Sequence, residues 1–292
     1  MSKIEDALRK ARSMVPSSDG GSSEQALSAR AVDGCPASGT SLGLHIESQR
    51  SIARMKEVAP FSAGELAGMG IVAPGMETDG VSNAFREVRT KIVQAARGGN
   101  CSVLVTAVKP KAGCSFVALN LAVAFSLDET KSALLMDSNL ANPAFHKLHG
   151  REDGPGLSEY LEADDLEAEK IIYPVGVRRL RLVPAGRKQN AGREYFTTIK
   201  MRRLLAEITE RYPDRYLVMD TPPILSSPDT RILAEACDFA VLVVPYGKVT
   251  ESQIRHAAQA IGPSKLIGVV FNDEPSLPSR LWGKSNGQHR AA

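Results

Sequence analysis

Between residues 81 and 273 short apolar runs alternate with segments whose apolar residues recur every three or four positions. The runs at 103–107, 132–137, 180–184, 216–220, 239–244 and 266–271 are rich in Val, Leu and Ile, as strands covered on both faces are. The segments 115–127, 198–212, 229–235 and 250–261 carry helical spacing. The alternation predicts an α/β domain: a three-layer sandwich with a mostly parallel sheet and helices on both faces. Ligands of such sheets bind at the carboxyl ends of the strands, so the chemistry is expected there.

Outside that domain the pattern changes. Residues 1–14 place Ile4, Ala7, Leu8, Ala11 and Met14 along one side of a short amphipathic helix. Ile4 and Leu8 could anchor it on the chain's own domain or on another protein. Residues 15–40, rich in Ser, Gly and Ala, read as a flexible linker. Residues 41–80 regain apolar positions without a period and are expected to dock on the 81–273 domain. Residues 274–292 form a polar tail.

Composition narrows the classes. A chain of 292 residues with 43% hydrophobic content can bury a large core. No apolar run reaches the ~18 residues of a membrane span, and a cytoplasmic location is expected. The net charge of +3 is too small to suggest a nucleic-acid partner. The cysteines, Cys35, Cys101, Cys114 and Cys237, show neither C-x-x-C pairing nor metal-ligand spacing.

The most informative stretch is VTAVKPKAGCS at residues 105–115, between a predicted strand and a predicted helix. It has the context of a Walker A phosphate-binding loop, in which backbone N–H groups hold phosphates, a lysine reaches the β and γ oxygens, and a Ser or Thr binds Mg²⁺. Gly113 and Ser115 occupy their expected places, but Cys114 stands where the lysine belongs. A thiol carries no fixed positive charge. Lys109 and Lys111 are nearby candidates to replace it, or ordinary solvated loop lysines. Cys114, at a helix start, is either a thiol of lowered pKa or an inert small residue.

Two further strand ends carry aspartates: LLMD, ending at Asp137, and LVMDTPP, with Asp220. A carboxylate ending a buried strand is costly unless paired, hydrogen-bonded or metal-linked. Asp137 and Asp220 are thus candidates to hold water and Mg²⁺ together with Ser115; capping the next turn is the alternative. Asn272, after the last strand, either contacts a nucleotide base or caps a turn. Arg86 and Arg89, three residues apart, suit a partner's acidic groups or a solvated helix face.

Taken in order, VTAVKPKAGCS, LLMDSNLANP, LVPAG, YLVMDTPPIL and LIGVVFND resemble the bacterial tyrosine kinases of polysaccharide export, a MinD/ParA-like branch of the P-loop proteins. SKIEDALRKARSM and GELAGMGIVAP further resemble the exosortase-associated autokinases of exopolysaccharide clusters. The resemblance implies a P-loop NTPase-like fold, ATP and Mg²⁺ as ligands, oligomer formation through an E-x-x-R-x-x-R motif, a membrane co-polymerase as partner, and transfer to a C-terminal tyrosine cluster. On it, Asp137 is a candidate catalytic residue, and Lys109, Lys111, Gly113, Cys114, Ser115 and Asn272 are candidates to bind nucleotide.

The chain departs from that pattern at several points. The loop reads Pro110-Lys111-Ala112-Gly113-Cys114-Ser115 where the family has P-G-E-G-K-S/T. Asp137-Ser138-Asn139-Leu140-Ala141 stands for D-x-D-x-R, so a carboxylate and an arginine are missing. Asn83 replaces the glutamate ahead of Arg86 and Arg89, and no tyrosine follows Tyr246. Phosphoryl transfer depends on positioning and charge neutralisation, so each loss should weaken it, on the order of 10²-fold per group. The sequence points to a degenerate kinase homologue with ATP–Mg²⁺ binding weakened or lost, acting with a co-polymerase or a related kinase subunit at the inner face of the membrane. An active kinase or ATPase using Lys109 or Lys111 is the alternative; a MinD/ParA-type positioning ATPase fits the motifs less well.

Overall fold

The computed structural model describes residues 55, 57–72, 80–146, 148, 154–187, 195–212 and 214–273. The predicted helix over 1–14, with Ile4 and Leu8, the linker over 15–40 and the tail over 274–292 lie outside them.

The central sheet has seven strands: β1 (Ser102–Ala107), β2 (Ser132–Asp137), β3 (Tyr173–Pro174), β4 (Leu180–Val183), β5 (Arg215–Asp220), β6 (Phe239–Pro245) and β7 (Leu266–Asn272). Their order is β3-β4-β2-β5-β1-β6-β7, and every pair except β3–β4 is parallel. The two faces carry separate cores. Leu104, Leu134, Met136, Leu217 and Met219 point to one, and Val103, Val105, Leu135, Tyr216 and Val218 to the other. Both sets are apolar because helices cover both faces, which is why these strands read as runs rather than as alternation.

Among the described residues the helices are α1 (Ala63–Gly68), α2 (Gly80–Ala95), α3 (Cys114–Ser126), α4 (Leu157–Glu162), α5 (Ile199–Arg211), α6 (Pro228–Ala236) and α7 (Glu251–Ile261), with a 3₁₀ turn at Ala168–Ile171. Several begin on caps legible in the chain. Thr198, Ser227 and Thr250 each accept a hydrogen bond from the third residue on, and Pro228 fills the first turn of α6. α5 buries Met201, Leu204 and Ile208, a stripe at helical spacing. α3 differs: Val117 to Ser126 are all buried, because the helix lies between the sheet and α2.

Residues 57–72 run across this domain. Glu57 pairs with Arg181 at 3.6 Å, the Phe61 N–H donates to the Gly176 carbonyl at 2.9 Å, and Ile71 is buried. Asn120, a polar residue inside the apolar α3, fixes the end of the segment: its Nδ2 donates to the Gly70 carbonyl at 3.0 Å and its Oδ1 accepts from the Val72 N–H at 2.8 Å.

Candidate nucleotide site

β1, β2 and β5 are neighbours in the sheet, so the loop after β1 and the aspartates ending β2 and β5 meet at one edge. The loop needs left-handed backbone at Lys111 (φ 60°) and Gly113 (φ 84°). At Gly113 a Cβ would lie 2.0 Å from the Asn272 side-chain nitrogen, so the position demands glycine both for conformation and for space. α3 starts immediately afterwards with no side chain capping its amino end. Its first-turn N–H groups and the positive end of the helix are available to an anion.

Cys114 is turned inward. Its thiol lies 3.2 Å from the Val105 carbonyl and 3.6 Å from that of Thr221, in the seam between β1 and the chain after β5. Burial, then the neighbouring Asp220 carboxylate, pushes the thiol well above its ordinary pKa. The reactive, lowered-pKa thiol is therefore contradicted: enclosure and a nearby anion outweigh the helix start.

Asp220 is fully buried. Its Oδ2 accepts from the Ser115 hydroxyl at 2.6 Å, while Oδ1 has no partner. Burial raises its pKa to about 6, against the opposing hydrogen bond from Ser115. Asp137 is its register partner on β2. Asp137 Oδ1 accepts from the Asn139 N–H at 3.2 Å, and Oδ2 accepts from Ala144 N–H at 2.8 Å and Phe145 N–H at 3.4 Å. Burial first, and then the Asp220 charge, lift its pKa to about 7. Asp137 thus organises the turn after β2, whereas Asp220 keeps an acceptor free. The loop after β5 is tied to β1 by Thr221, whose N–H and hydroxyl both donate to the Val105 carbonyl, at 3.1 and 2.9 Å.

The remaining candidates divide. Lys109 donates to the Lys248 carbonyl at 2.8 Å, which anchors the loop to the segment after β6. Lys248 in turn pairs with Asp273. Asn272 Nδ2 donates to the Ala112 carbonyl at 2.9 Å, so Asn272 braces the phosphate loop itself. Arg86 is exposed on α2. Arg89, by contrast, donates to the Ala124 carbonyl in the last turn of α3 at 3.1 Å, an internal contact rather than a free face. Ser138 went unread in the sequence: it is buried and its hydroxyl has no partner. A serine directly after a strand-terminal aspartate was the available signal.

The residues fit a phosphate–cation group in part. Loop amides suit phosphate, and Ser115 with Asp220 Oδ1 suits a cation that keeps most of its water, as Mg²⁺ does. Among the described residues no group of three or more His, Cys, Asp or Glu could hold a metal by itself. No ammonium of Lys109 and no group at position 114 supplies positive charge inside the loop.

This fold and this edge define a P-loop α/β protein. No family model matches the chain. It is 31% identical over 194 residues to the tyrosine-protein kinase YwqD of Bacillus subtilis, covering 65% of this chain and 80% of that protein. It is 28% identical over 205 residues to the tyrosine-protein kinase wzc of Salmonella typhimurium, covering 69% of this chain but 28% of that longer protein. The kinase domain of the Escherichia coli tyrosine kinase ETK superposes with a TM-score of 0.61 at 22% identity, covering 79% of this chain and 96% of that domain, a likeness of fold. The chain belongs to the bacterial tyrosine-protein kinase family. Among the described residues no helix is long and apolar enough to cross a membrane.

Proposed function

We propose that the protein is a kinase homologue that retains a nucleotide site but transfers phosphate poorly, and that it regulates exopolysaccharide synthesis and export, setting chain length or assembly, by binding a membrane co-polymerase or an active kinase subunit at the inner face of the membrane. The observation that carries this reading is the direction of Cys114: the residue at the lysine position faces the strand seam. Bound ATP–Mg²⁺ would supply the transferable phosphoryl group. The chain's own residues would hold it through the amides of Ala112 to Ser115, the Ser115 hydroxyl and the free oxygen of Asp220. Asp137 spends its oxygens on three backbone N–H groups, which leaves it poorly placed to accept a tyrosine proton. Lys109 is engaged by the Lys248 carbonyl, which speaks against its standing in for the missing lysine.

The test is calorimetry of ATP–Mg²⁺ binding together with phosphotyrosine detection on the purified chain. Weak binding without phosphotyrosine is expected. Cys114→Lys should tighten ATP–Mg²⁺ roughly ten- to a hundredfold, the value of a charge-assisted contact. Efficient phosphotyrosine formation by the unaltered chain, abolished by Lys109→Ala or Lys111→Ala, would establish the active-kinase alternative instead.

A further inference from the structure

All six tyrosines of the chain lie among the described residues, and the fold covers five of them. Tyr160, Tyr173, Tyr195 and Tyr216 are buried. The Tyr173 hydroxyl donates to the Pro155 carbonyl at 2.8 Å and the Tyr195 hydroxyl to the Glu162 carboxylate at 2.7 Å. The Lys200 ammonium lies 4.9 Å from the centre of the Tyr160 ring, and the Tyr216 ring stacks on Phe125 at 4.3 Å. Tyr212 is half-buried, its ring covered by the Arg215 guanidinium at 3.8 Å. Tyr246 is the exception: it is 46% exposed, and its hydroxyl makes no hydrogen bond among the described residues.

The backbone fixes Tyr246 where it is displayed. β6 ends at Pro245, the Tyr246 N–H donates to the Asn272 carbonyl at 2.8 Å, and the Lys248 N–H closes a turn on the Pro245 carbonyl at 3.2 Å. Gly247 in that turn is left-handed, φ 65°, and a Cβ there would meet nothing within 4 Å, so the approach to the turn is open. The surroundings are basic. Lys248 is exposed and pairs with Asp273, and Lys109 Nζ donates to the Lys248 carbonyl at 2.8 Å. A phosphoryl group on Tyr246, carrying about −1.5 to −2 charge at pH 7, would enter a neighbourhood of two lysines and one carboxylate that is already paired, so charge favours the modified side chain. We propose that Tyr246 is the phosphorylation site of this chain, modified in trans by an active kinase subunit. The inference rests on the pairing with such a subunit proposed above, and it gives that pairing a substrate in a chain whose tail has no tyrosine. In the step, the phenolic oxygen bonds to the γ-phosphorus of the nucleoside triphosphate held by the kinase subunit, and the bond from that phosphorus to the β–γ bridging oxygen breaks. The nucleoside diphosphate leaves, and the phenolic proton passes to a base on the kinase subunit.

The experiment incubates the full chain with ATP–Mg²⁺, with and without the kinase domain of the Escherichia coli tyrosine kinase ETK, and maps phosphotyrosine by tandem mass spectrometry. With the kinase domain present, phosphate is expected at Tyr246; Tyr246→Phe should abolish incorporation, and Tyr212→Phe should leave it at the parent level. Phosphate on any other tyrosine with Tyr246 unmodified overturns the proposal. So does the absence of incorporation while the kinase domain phosphorylates a tyrosine peptide in the same mixture. Should Tyr246→Phe not fold, the site mapped in the unaltered chain decides alone. An unmodified Tyr246 in a chain that still forms a complex with the kinase domain by light scattering overturns this proposal and leaves the regulatory reading standing. Phosphate at Tyr246 formed without added kinase, and lost in Asp220→Asn, refutes the reading of poor transfer and keeps Tyr246 as the acceptor.

Discussion

The same strands end in two different ways. At their starts the buried polar groups are answered by the chain itself: the N–H and hydroxyl of Ser102 donate to Asp238 at 2.8 and 2.7 Å, and the Asp238 N–H returns a bond to the Ser102 hydroxyl at 3.0 Å. One strand pair away, the Ser132 hydroxyl donates to Asp214 at 3.2 Å, and the Arg215 guanidinium lies 3.8 Å from the centre of the Tyr212 ring. At their carboxyl ends the Asp220 Oδ1 and Ser138 Oγ atoms have no partner, and both aspartates are held above the ordinary carboxylate range. Burial is comparable at the two ends. What differs is unspent hydrogen-bonding and charge capacity, and in a native fold that is most economically explained by a ligand.

The largest test of this contrast is pH. The folded pKa values of Asp137, about 7, and Asp220, about 6, lie above the unfolded carboxylate value near 3.9. Between those limits the folded chain binds more protons than the unfolded one, so stability must fall as pH rises. The stabilisation is complete below about pH 4 and gone above about pH 7. Urea unfolding in Mg²⁺-free buffer should give a lower midpoint at pH 8 than at pH 5. Asp220→Asn should flatten that slope and leave the ligand-free protein at least as stable at pH 8, because it removes a buried charge without removing a needed bond acceptor. A parallel pH profile in parent and variant would mean that the strand ends are as self-sufficient as the strand starts.

Legibility in the sequence followed length and repetition. β1, β2, β4, β5 and β6 announce themselves because each is a run covered on both faces, the half-buried edge strand β7 because its run is Val- and Ile-rich, and α5, α6 and α7 because their apolar stripes repeat at helical spacing. β3 has two residues and α4 six, too short for any period to register. The site was legible as far as chemistry sits in a motif: Gly113, Ser115, Asp137 and Asp220 all reach one edge because β1, β2 and β5 adjoin. Side-chain direction was not legible. That the Cys114 thiol faces Val105 and Thr221, or that Lys109 is taken by the Lys248 carbonyl, depends on loops distant in sequence. Asn120 offered a signal, a lone amide within an apolar helix, but its partners Gly70 and Val72 lie about fifty residues away.

Breaking a satisfied group should cost stability at every pH. Asn120→Leu removes the bonds to the Val72 N–H and the Gly70 carbonyl and strands both, a loss of about 1–3 kcal/mol. Hydrogen exchange resolved by peptide should then show faster exchange over residues 57–72 than over β1. Asp238→Ala leaves the buried Ser102 N–H and hydroxyl unanswered and should cost a similar amount. Neither variant should alter the difference in midpoint between pH 5 and pH 8. A changed slope in either would locate the pH dependence outside the Asp137–Asp220 pair.

The smallest effect separates two arginines that share a helix face in the sequence. Arg89 donates to the Ala124 carbonyl in the last turn of α3, one of the orphan acceptors that every helix end leaves. Arg89→Ala should therefore lower stability by about 1 kcal/mol. Arg86 is exposed, with no hydrogen bond or ion pair from its guanidinium among the described residues. Arg86→Ala should change stability by less than about 0.5 kcal/mol, the usual scale for an exposed side chain. If Arg86 is kept for a partner, its loss should appear in the mass of the assembled species by light scattering and not in the unfolding midpoint. Equal destabilisation by the two alanine variants would place Arg86 within the fold's own bonding and end its candidacy as a contact to another subunit.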